Sequence, residues 1–532
     1  MNRWSIRRLI LRPRRRRRRS RNPDPFHISG ALQMATLFNF IPGSGLIAPG
    51  TFFEVNSGGQ YESQSYGVIF GHKSTAGLLA DNTPTLCSTA GEAAQLAGVG
   101  SQLYEMFRVA RRAAPAQRIY IVSIPVAGTS GQWTIAVGAL AAAAGDGVIE
   151  IAGRKVSVAK AASETANATA TAIAAAINAY VDPLTLAYLP VTATAATNVV
   201  TLTARHAGTT MNELEIFADP NLAGNAYAAG LTIAQSVPAT GTASIAAALA
   251  ALGDLPMDWI ISPFVETTNL DAAAAALSDV SGRWAWNAQL YGHYFTVNTG
   301  NTAAQTTLGL GRNDRHIAVI GRVASPTPGW EWVAAYVARV LPWLTDDTNG
   351  NAARNQSALA LEDIRPPRDR SLWPNYAVRN TLLGSGISTW TVNGANQVVI
   401  DKLITMQRQN AQGLPDTVFR DIQAIAQAML GLRYLRWGLS TRNANKALAR
   451  ANPSNLPTIA TPDDIKADCI ALYGDLVDRG LFEDKPTFAK RVKTEVDASN
   501  PARVNIKMDL DRVNPLDILA ANATFYAQYP AN

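Results

Sequence analysis

From Tyr66 onward, the chain alternates short apolar runs with amphipathic segments, which is the pattern of β-α-β units. The run Gly67–Phe70 predicts a buried strand, Gly91–Arg112 predicts a helix, and Arg118–Ile124 predicts a second strand. This order indicates two parallel strands that are joined by a helical crossover. We therefore predict the first part of an α/β core over residues 66–128.

Residues 129–228 break this pattern with short alternating segments that are rich in Thr and Ala. Strict alternation is typical of strands that bury one face. Strands are predicted at Trp133–Val137, Val148–Ile151, Lys155–Val158 and Val199–Leu202, and a helix at Ser163–Tyr180. We interpret residues 129–228 as an inserted β-rich domain.

The α/β pattern resumes in residues 229–345 and predicts the second part of the same core. Predicted strands are Asp258–Ser262, Leu290–Val297 and His316–Ile320; predicted helices are Trp330–Leu341 and Asn269–Val280, the latter capped by Thr268 or Asn269. The fold class is therefore α/β, in a multidomain α+β arrangement. Its mixed-sheet core carries an inserted β-rich domain and extended strand arms at both ends.

Residues 346–500 predict a C-terminal domain that is built around a hairpin. The β-prone runs Ile387–Val392 and Val398–Ile400 flank Asn393-Gly394, and Asn-Gly in this setting is the strongest short hairpin signal. Residues 345–380 are polar and Pro-rich and predict a long ordered loop. Helices are predicted to begin at Asp416 and to span Pro462–Arg479, with Gly480 as the C-terminal stop.

Both ends of the chain predict extended arms. Pro and Gly are too frequent in residues 34–65 for a helix. In residues 501–532, an alternating strand at Val504–Leu510 precedes a final strand at Ala523–Tyr529. The apolar side chains of the arms must be buried on their own domain or on a neighbouring molecule. The expected inter-subunit residues are Phe38, Phe40, Ile41, Leu46, Ile47, Phe52, Phe53, Val504, Ile506, Met508, Leu510 and Phe525.

Net charge divides the chain into a basic leader and a slightly acidic body. The 47 Lys and Arg residues against 40 Asp and Glu residues give +7. Residues 1–33 hold eleven arginines and one acid, Asp24, a net of +10, so residues 34–532 carry −3. The leader is open to three interpretations: a misassigned start before Met34, a disordered tail, or a functional basic arm. The body gives no charge argument for binding nucleic acid.

The sequence lacks the residue patterns of an enzyme or a metal protein. None of the five histidines has a second ligand at metal spacing, and Cys87 and Cys469 lie far apart. No phosphate loop, nucleophile elbow or apolar stretch of membrane-spanning length is present. We therefore expect no enzymatic activity, no catalytic or metal site, no cofactor and no membrane insertion.

Several separated segments resemble the tail sheath proteins of contractile phages, in particular the Mu-like family. They are an opening at residues 37–55, the signature segment at residues 384–408, a helix motif at residues 432–437 and Asp497–Asn505. The signature residues are Gly386, Ile387, Ser388, Thr389, Trp390, Val392 and Gly394. The arginine-rich leader has no counterpart in the family pattern.

This resemblance implies a structural subunit that is assembled in the host cytoplasm and located in the virion tail sheath. Sheath subunits stack as hexameric rings in a helix around the tail tube, and their arms pair with sheets of neighbouring subunits. Contraction drives the tube through the host envelope. The implied partners are other copies of the chain, the tail tube protein, and the baseplate and tail terminator proteins.

Three alternatives stay open at this stage. The same subunit could form the sheath of a phage-derived bacteriocin or another headless contractile particle. An α/β sheet could also carry a hydrolase, although no Asp-His-Ser set is evident. The leader could instead make the chain a basic nucleic-acid-binding protein, in which case binding would fall steeply with salt and depend on residues 1–33.

Overall fold

The computed structural model describes residues 64–140 and 142–527, which belong to one compact unit, Glu62–Asn532. The strands of the described residues are β1 Tyr66–Gly71, β2 Thr85–Cys87, β3 Ile119–Ser123, β4 Ser130–Val137, β5 Gly145–Ile151, β6 Arg154–Lys160, β7 Val191–Ala196, β8 Val199–Ala207, β9 Ile216–Phe217, β10 Leu231–Val237, β11 Met257–Ile261, β12 His293–Asn298, β13 Ile317–Gly321, β14 Ile387–Val392, β15 Val398–Lys402, β16 Ala447–Leu448, β17 Ile459–Ala460, β18 Lys493–Val496 and β19 Val504–Lys507. The centre of this unit is an eight-stranded sheet, the central sheet, with strand order β15-β14-β13-β12-β11-β1-β3-β2.

The six inner strands of the central sheet run parallel, and the outermost strands, β2 and β15, pair antiparallel at its two edges. Strands β11 and β13 are buried along their whole length. Parallel strands covered on both faces read as continuous apolar runs, which is why the sequence located them. The predicted α/β core is confirmed.

Helices cover the central sheet, and the long helix Gly329–Leu344 is buried on nearly every side. The helices of the described residues are α1 Ala90–Ala97, α2 Gln102–Ala113, α3 Ala166–Ala179, α4 Ala246–Ala251, α5 Thr267–Ala276, α6 Thr302–Leu310, α7 Gly329–Leu344, α8 Tyr376–Gly384, α9 Ile422–Arg442, α10 Pro462–Asp478 and α11 Lys485–Arg491. The predicted helix at Pro462–Arg479 is confirmed, and Gly480 follows it with a φ of +75°.

Three helix predictions were wrong in their limits. The predicted helix Gly91–Arg112 is two helices, because Gly98 adopts a φ of +78° and the Ser101 hydroxyl caps the second helix by accepting from the Tyr104 amide. Helix α5 begins after Glu266, without a side-chain cap, and ends at Ala276. Helix α9 begins after Asp421, well past the predicted start at Asp416.

Residues 130–237, called the insertion here, form two sheets that are separate from the central sheet. One has the order β10-β4-β8-β7 and the other β6-β5-β9, with α3 packed against the first. Strand β10 pairs along β4, so the strands of this region continue past residue 228, where the sequence placed the boundary. The chain enters and leaves side by side, because the Thr240 amide donates to the Thr129 carbonyl at 3.0 Å.

A buried ion cluster connects the insertion to the core helices. Arg154, at the β5–β6 turn, donates through Nη2 to Glu105 Oε2 at 2.7 Å on α2 and to Glu331 Oε1 at 2.9 Å on α7. Arg108 Nε donates to Glu105 Oε2 at 2.8 Å, and Arg108 Nη1 to Asp363 Oδ2 at 2.9 Å. All but Asp363 are almost completely buried. Sequence reasoning missed this cluster, although Glu331 between two buried tryptophans was a signal.

The polar, Pro-rich residues 345–375, called the strap here, are ordered and contact the insertion. Arg368 pairs with Glu150 and Glu215 of the insertion, and Arg365 Nη1 lies 3.4 Å from Glu150 Oε1. The predicted loop is therefore ordered, but its last part is helical from Tyr376. The strap adds a second, more exposed set of ion pairs to the buried cluster.

Replacing Arg154 by Met tests the buried cluster. The change leaves Glu105 and Glu331 in a dry environment with Arg108 as their remaining cation in the cluster. Breaking a buried ion pair costs about 3–5 kcal/mol, and we expect the free energy of unfolding to fall by about that amount. Urea unfolding followed by circular dichroism measures the loss.

The neighbouring substitution Lys155→Met is a matched control. The Lys155 side chain is 51% exposed, and its ammonium lies 3.9 Å from Glu150. An exposed pair contributes only about 0–1 kcal/mol. Equal losses in the two variants would contradict the role given to the buried cluster.

Candidate assembly surfaces

The signature segment forms one edge of the central sheet. Strand β14 runs parallel to β13, with Val319 opposite Ile387 and Ile320 opposite Ser388. Strand β15 returns antiparallel to β14 and closes the sheet on this side. The predicted hairpin is therefore confirmed, and it belongs to the α/β core.

The first signature residues fix the backbone at the start of this hairpin. Gly386 has a φ of +82°, and a Cβ there would lie 3.2 Å from the backbone of Met406. Ile387 is fully buried. The Ser388 hydroxyl donates to the Ile404 carbonyl at 3.1 Å and accepts from the Ile404 amide at 3.0 Å. These residues serve the fold and present no free group to a ligand.

The remaining signature residues divide between the core and the turn. Thr389 Oγ1 donates to Asp401 Oδ2 at 2.7 Å, and Trp390 Nε1 donates to the Gly321 carbonyl at 2.8 Å. Val392 pairs with Val398. Gly394 lies in an open loop where an added Cβ would meet nothing within 4 Å.

The hairpin turn is longer than the Asn-Gly signal predicts. Residues 393–397 connect the strands, and the positive φ lies at Asn396. The Asn393 side chain accepts from the amides of Ala395 and Gln397 at 2.9 and 3.0 Å, which stabilises the wider loop. The predicted turn at Asn393-Gly394 is therefore present but extends to Gln397.

Near the C-terminus, strands β18 and β19 form a separate two-stranded sheet. They are antiparallel, with Thr494 opposite Ile506 and Val496 opposite Val504. Asp497 stabilises the turn by accepting from the side chains of Ser499 and Asn505, which holds the pKa of its carboxyl well below the usual range. In the part of the chain that the structure describes, neither outer edge of this sheet carries another strand.

Four of the residues expected at an inter-subunit interface are half-buried. Val504 and Ile506 are in β19, which pairs within its own chain, and Met508 and Leu510 follow it. The strand ends at Lys507, so the predicted strand Val504–Leu510 was too long.

The chain then packs along the C-terminal helices, where the Val513 carbonyl accepts from Gln427 Nε2 at 2.8 Å. It still contacts the body at Leu516, whose carbonyl accepts from Asn355 Nδ2 at 2.6 Å, and at Asp517, which pairs with Lys402.

Beyond Pro515 the chain exposes large apolar side chains. Leu516, Ile518, Leu519 and Phe525 are between 66% and 95% exposed. Residues 513–527 contain no strand, so the predicted final strand Ala523–Tyr529 is absent from its described part, and residues 528–532 lie outside the description. We call residues 513–527 the C-terminal arm. Sequence reasoning missed the exposed side chains of Leu516, Ile518 and Leu519.

Seven of the twelve residues expected at an inter-subunit interface lie outside the described residues. This applies to Phe38, Phe40, Ile41, Leu46, Ile47, Phe52 and Phe53, and to the arginine-rich leader. The described residues begin at Gln64, whose carbonyl accepts from Arg433 Nη1 at 3.2 Å.

Both cysteine thiols and the His293 ring are buried. Burial raises the pKa of the Cys87 thiol to about 12 and that of Cys469 to about 11, so neither is a ready nucleophile. His293 is fully buried on β12, and burial lowers its pKa. No group of three potential metal ligands occurs among the described residues, and none of their helices is long and apolar enough to cross a membrane.

Comparison with known proteins places the chain in a family. Residues 238–406 match the model of the phage tail sheath protein central domain. The chain is 30% identical over 502 residues to the Mu-like prophage FluMu tail sheath protein of Haemophilus influenzae, across 92% of this chain and 99% of that protein. The chain belongs to the phage tail sheath protein family.

Solved sheath structures are similar at low identity. The sheath tail protein of Desulfitobacterium hafniense shares 12% identity, with a TM-score of 0.46, over 88% of this chain and 97% of that one. The contracted sheath of an extracellular contractile injection system shares 9% identity, with a TM-score of 0.45, over 91% and 99%.

The sheath subunit is thus a structural component of a contractile virion tail. Its signature segment lies inside the fold, and its exposed apolar residues include those of the C-terminal arm. The signature segment therefore serves folding, whereas the apolar residues of the C-terminal arm lie on the surface.

A buried histidine pair lies where the central sheet meets the insertion. The rings of His72, just after β1, and His206, on β8, are 5.2 Å apart, and the Phe264 ring lies 4.9 Å from His72. Burial lowers the pKa of His72 to about 3, with the nearby His206 adding to the shift, and burial lowers the pKa of His206 to about 4. Both imidazoles are neutral at pH 7.

This pair predicts acid sensitivity. Because both pKa values are lower in the folded state, the unfolded chain binds more protons, and stability is lost as pH falls from about 6.5 toward 4. One such histidine contributes up to about 2.7 kcal/mol of loss between pH 6.5 and 4.5. We expect His206→Phe to lose less stability than the native protein between pH 7 and 4.5, as measured by urea unfolding. Identical losses would show that His206 does not titrate with unfolding.

Proposed function

We propose that this subunit polymerises into hexameric rings that stack helically around a tail tube, and that its arms link neighbouring copies. The C-terminal arm carries this proposal. Burying a Leu or Phe side chain is worth about 1.5–3 kcal/mol. An arm with four such side chains exposed, including Leu519 and Phe525, gains that energy only against another surface.

The two-stranded sheet β18–β19 is the surface that we propose for receiving arms. Each of its strands has one edge without a strand partner among the described residues. An added strand gains main-chain hydrogen bonds, and its alternating side chains set the register. The N-terminal arm, with Phe38 to Phe53, is proposed to take the same kind of position on another copy.

The remaining partners follow from the same proposal. The tail tube protein would lie inside the sheath, and the baseplate and tail terminator proteins at its two ends. Assembly would take place in the host cytoplasm, and contraction would drive the tube through the host envelope. A headless contractile particle would use the subunit in the same way, and the presence of capsid and terminase genes nearby separates the two. Nucleic-acid binding depends wholly on residues 1–33 and finds no support in the acidic body.

The double substitution Leu519→Ser with Phe525→Ser tests the arm. Substitutions at exposed positions change stability by about 0.5 kcal/mol or less, so the variant should unfold at the same temperature as the native protein. Assembly should fail, because every subunit repeats the lost contact. Thermal unfolding and electron microscopy of the purified protein give the two readouts.

Leu78→Ser is the matched control, since Leu78 is 81% exposed on the body. It should leave tubes or polysheaths intact. Normal assembly of the arm variant would refute the role of the arm. Loss of assembly in the control as well would mean that the effect is not specific to the arm.

A further inference from the structure

A carboxylate from the insertion lies at the carboxyl edge of the central sheet. Glu213 ends a short 3-10 turn, Thr209–Glu213, between β8 and β9. Its side chain reaches the carboxyl end of β13 and the first residue of α7. The N-terminus of a helix presents free backbone amides and the positive end of the helix dipole, so anionic ligands bind there.

The contacts of Glu213 are those of a bound anion. Oε1 accepts from the Gly329 amide at 2.9 Å, at the start of the sixteen-residue helix α7. Oε2 accepts from Arg322 Nη1 at 3.1 Å. Arg322 is 4% exposed, and its Nη2 donates to the carbonyls of Ser325 and Thr327. Its buried Nε has no hydrogen-bond partner.

Gly329 is shaped for this close approach. A Cβ at this position would lie 3.0 Å from Glu213 Oε2, 3.2 Å from Oε1 and 2.7 Å from Thr299 Cγ2. The missing side chain therefore makes room for the two carboxylate oxygens, as glycines do where a backbone must approach a phosphate. A helix amide, a buried guanidinium and an absent side chain converge on one small volume.

The charges around the carboxylate also suit an anion. The N-terminus of α7 carries the positive end of the helix dipole, and Arg322 supplies a full positive charge. Burial raises the pKa of the Glu213 carboxyl, while Arg322 and the Gly329 amide lower it. On balance burial keeps the pKa of this carboxyl above its usual value, so Arg322 and the Gly329 amide offset part of the cost of taking the charge out of water.

We propose that the N-terminus of α7, with Arg322 and Gly329, is an oxyanion-binding site, and that Glu213 is its internal ligand. The carboxylate holds the insertion on the carboxyl edge of the central sheet. It also fills the place where a phosphate or sulfate would otherwise bind. When the carboxylate is removed, the site takes a small inorganic oxyanion of this class.

Glu213→Ala tests the site with inorganic phosphate as the probe. The variant should unfold at a lower temperature than the native protein in chloride. Millimolar phosphate should raise its unfolding temperature more than it raises that of the native protein at matched ionic strength. The comparison with the native protein removes the general stabilisation that phosphate gives to folded proteins. Phosphorus NMR should detect saturable phosphate binding to the variant and none to the same site of the native protein.

Two further variants separate an oxyanion site from an ordinary ion pair. Adding Arg322→Met to Glu213→Ala should abolish the phosphate-specific gain. Gly329→Ala should destabilise the protein and show no phosphate-specific gain, because it retains Glu213 and fills the space around the carboxylate. Native stability of Glu213→Ala would overturn the proposal, as would a loss of stability with no phosphate-specific gain.

If Glu213→Ala is recovered only as aggregate, its refolding yield replaces the unfolding temperature. A higher yield in phosphate than in chloride, beyond the difference shown by the native protein, supports the proposal. Equal gains for the two proteins overturn it.

Discussion

The buried ion cluster of Glu105, Arg154 and Glu331 is the interaction on which the arrangement of the subunit depends. Charges removed from water are tolerated only when their partners are present in good geometry. Arg154 belongs to the insertion, and the two carboxylates belong to helices that pack on the central sheet. The buried charges are therefore paired when the insertion occupies its observed position on the core. The more exposed ion pairs of Arg368 in the strap with Glu150 and Glu215 hold the insertion in the same position.

This constraint gives the subunit a fixed body, whereas the C-terminal arm exposes several large apolar side chains. In the body, the central sheet is covered by helices, and the signature segment is used for internal hydrogen bonds, such as that from Trp390 to Gly321. In the C-terminal arm, Leu519 and Phe525 have almost no cover within the described chain. A sheath that contracts needs bodies that move as units and connections that persist, and the arm is suited to provide the connection.

The sequence predicted those features that depend on local pattern. The strands Met257–Ile261 and Ile317–Gly321 are buried on both faces and read as apolar runs, and Asn393 with its apolar flanks correctly indicated a hairpin. Features set by distant contacts were missed. Arg154 lies 177 positions from Glu331, and strand β10 is defined by its pairing with β4, so neither follows from a local pattern. The start of α9 was misplaced because Asp416 serves a turn, accepting from the Val418 amide, while Asp421 begins the helix.

We propose that the subunit is a fixed body that assembles through its arms. Hydrogen–deuterium exchange, compared between the free subunit and the assembled sheath, tests it most directly. Amides of residues 513–527 and of β18–β19 should become strongly protected on assembly, because they gain main-chain partners. Amides of the central sheet and of the Arg154 turn should exchange equally slowly in both forms. Unchanged exchange in the arm, or a large change around Arg154, would contradict the account.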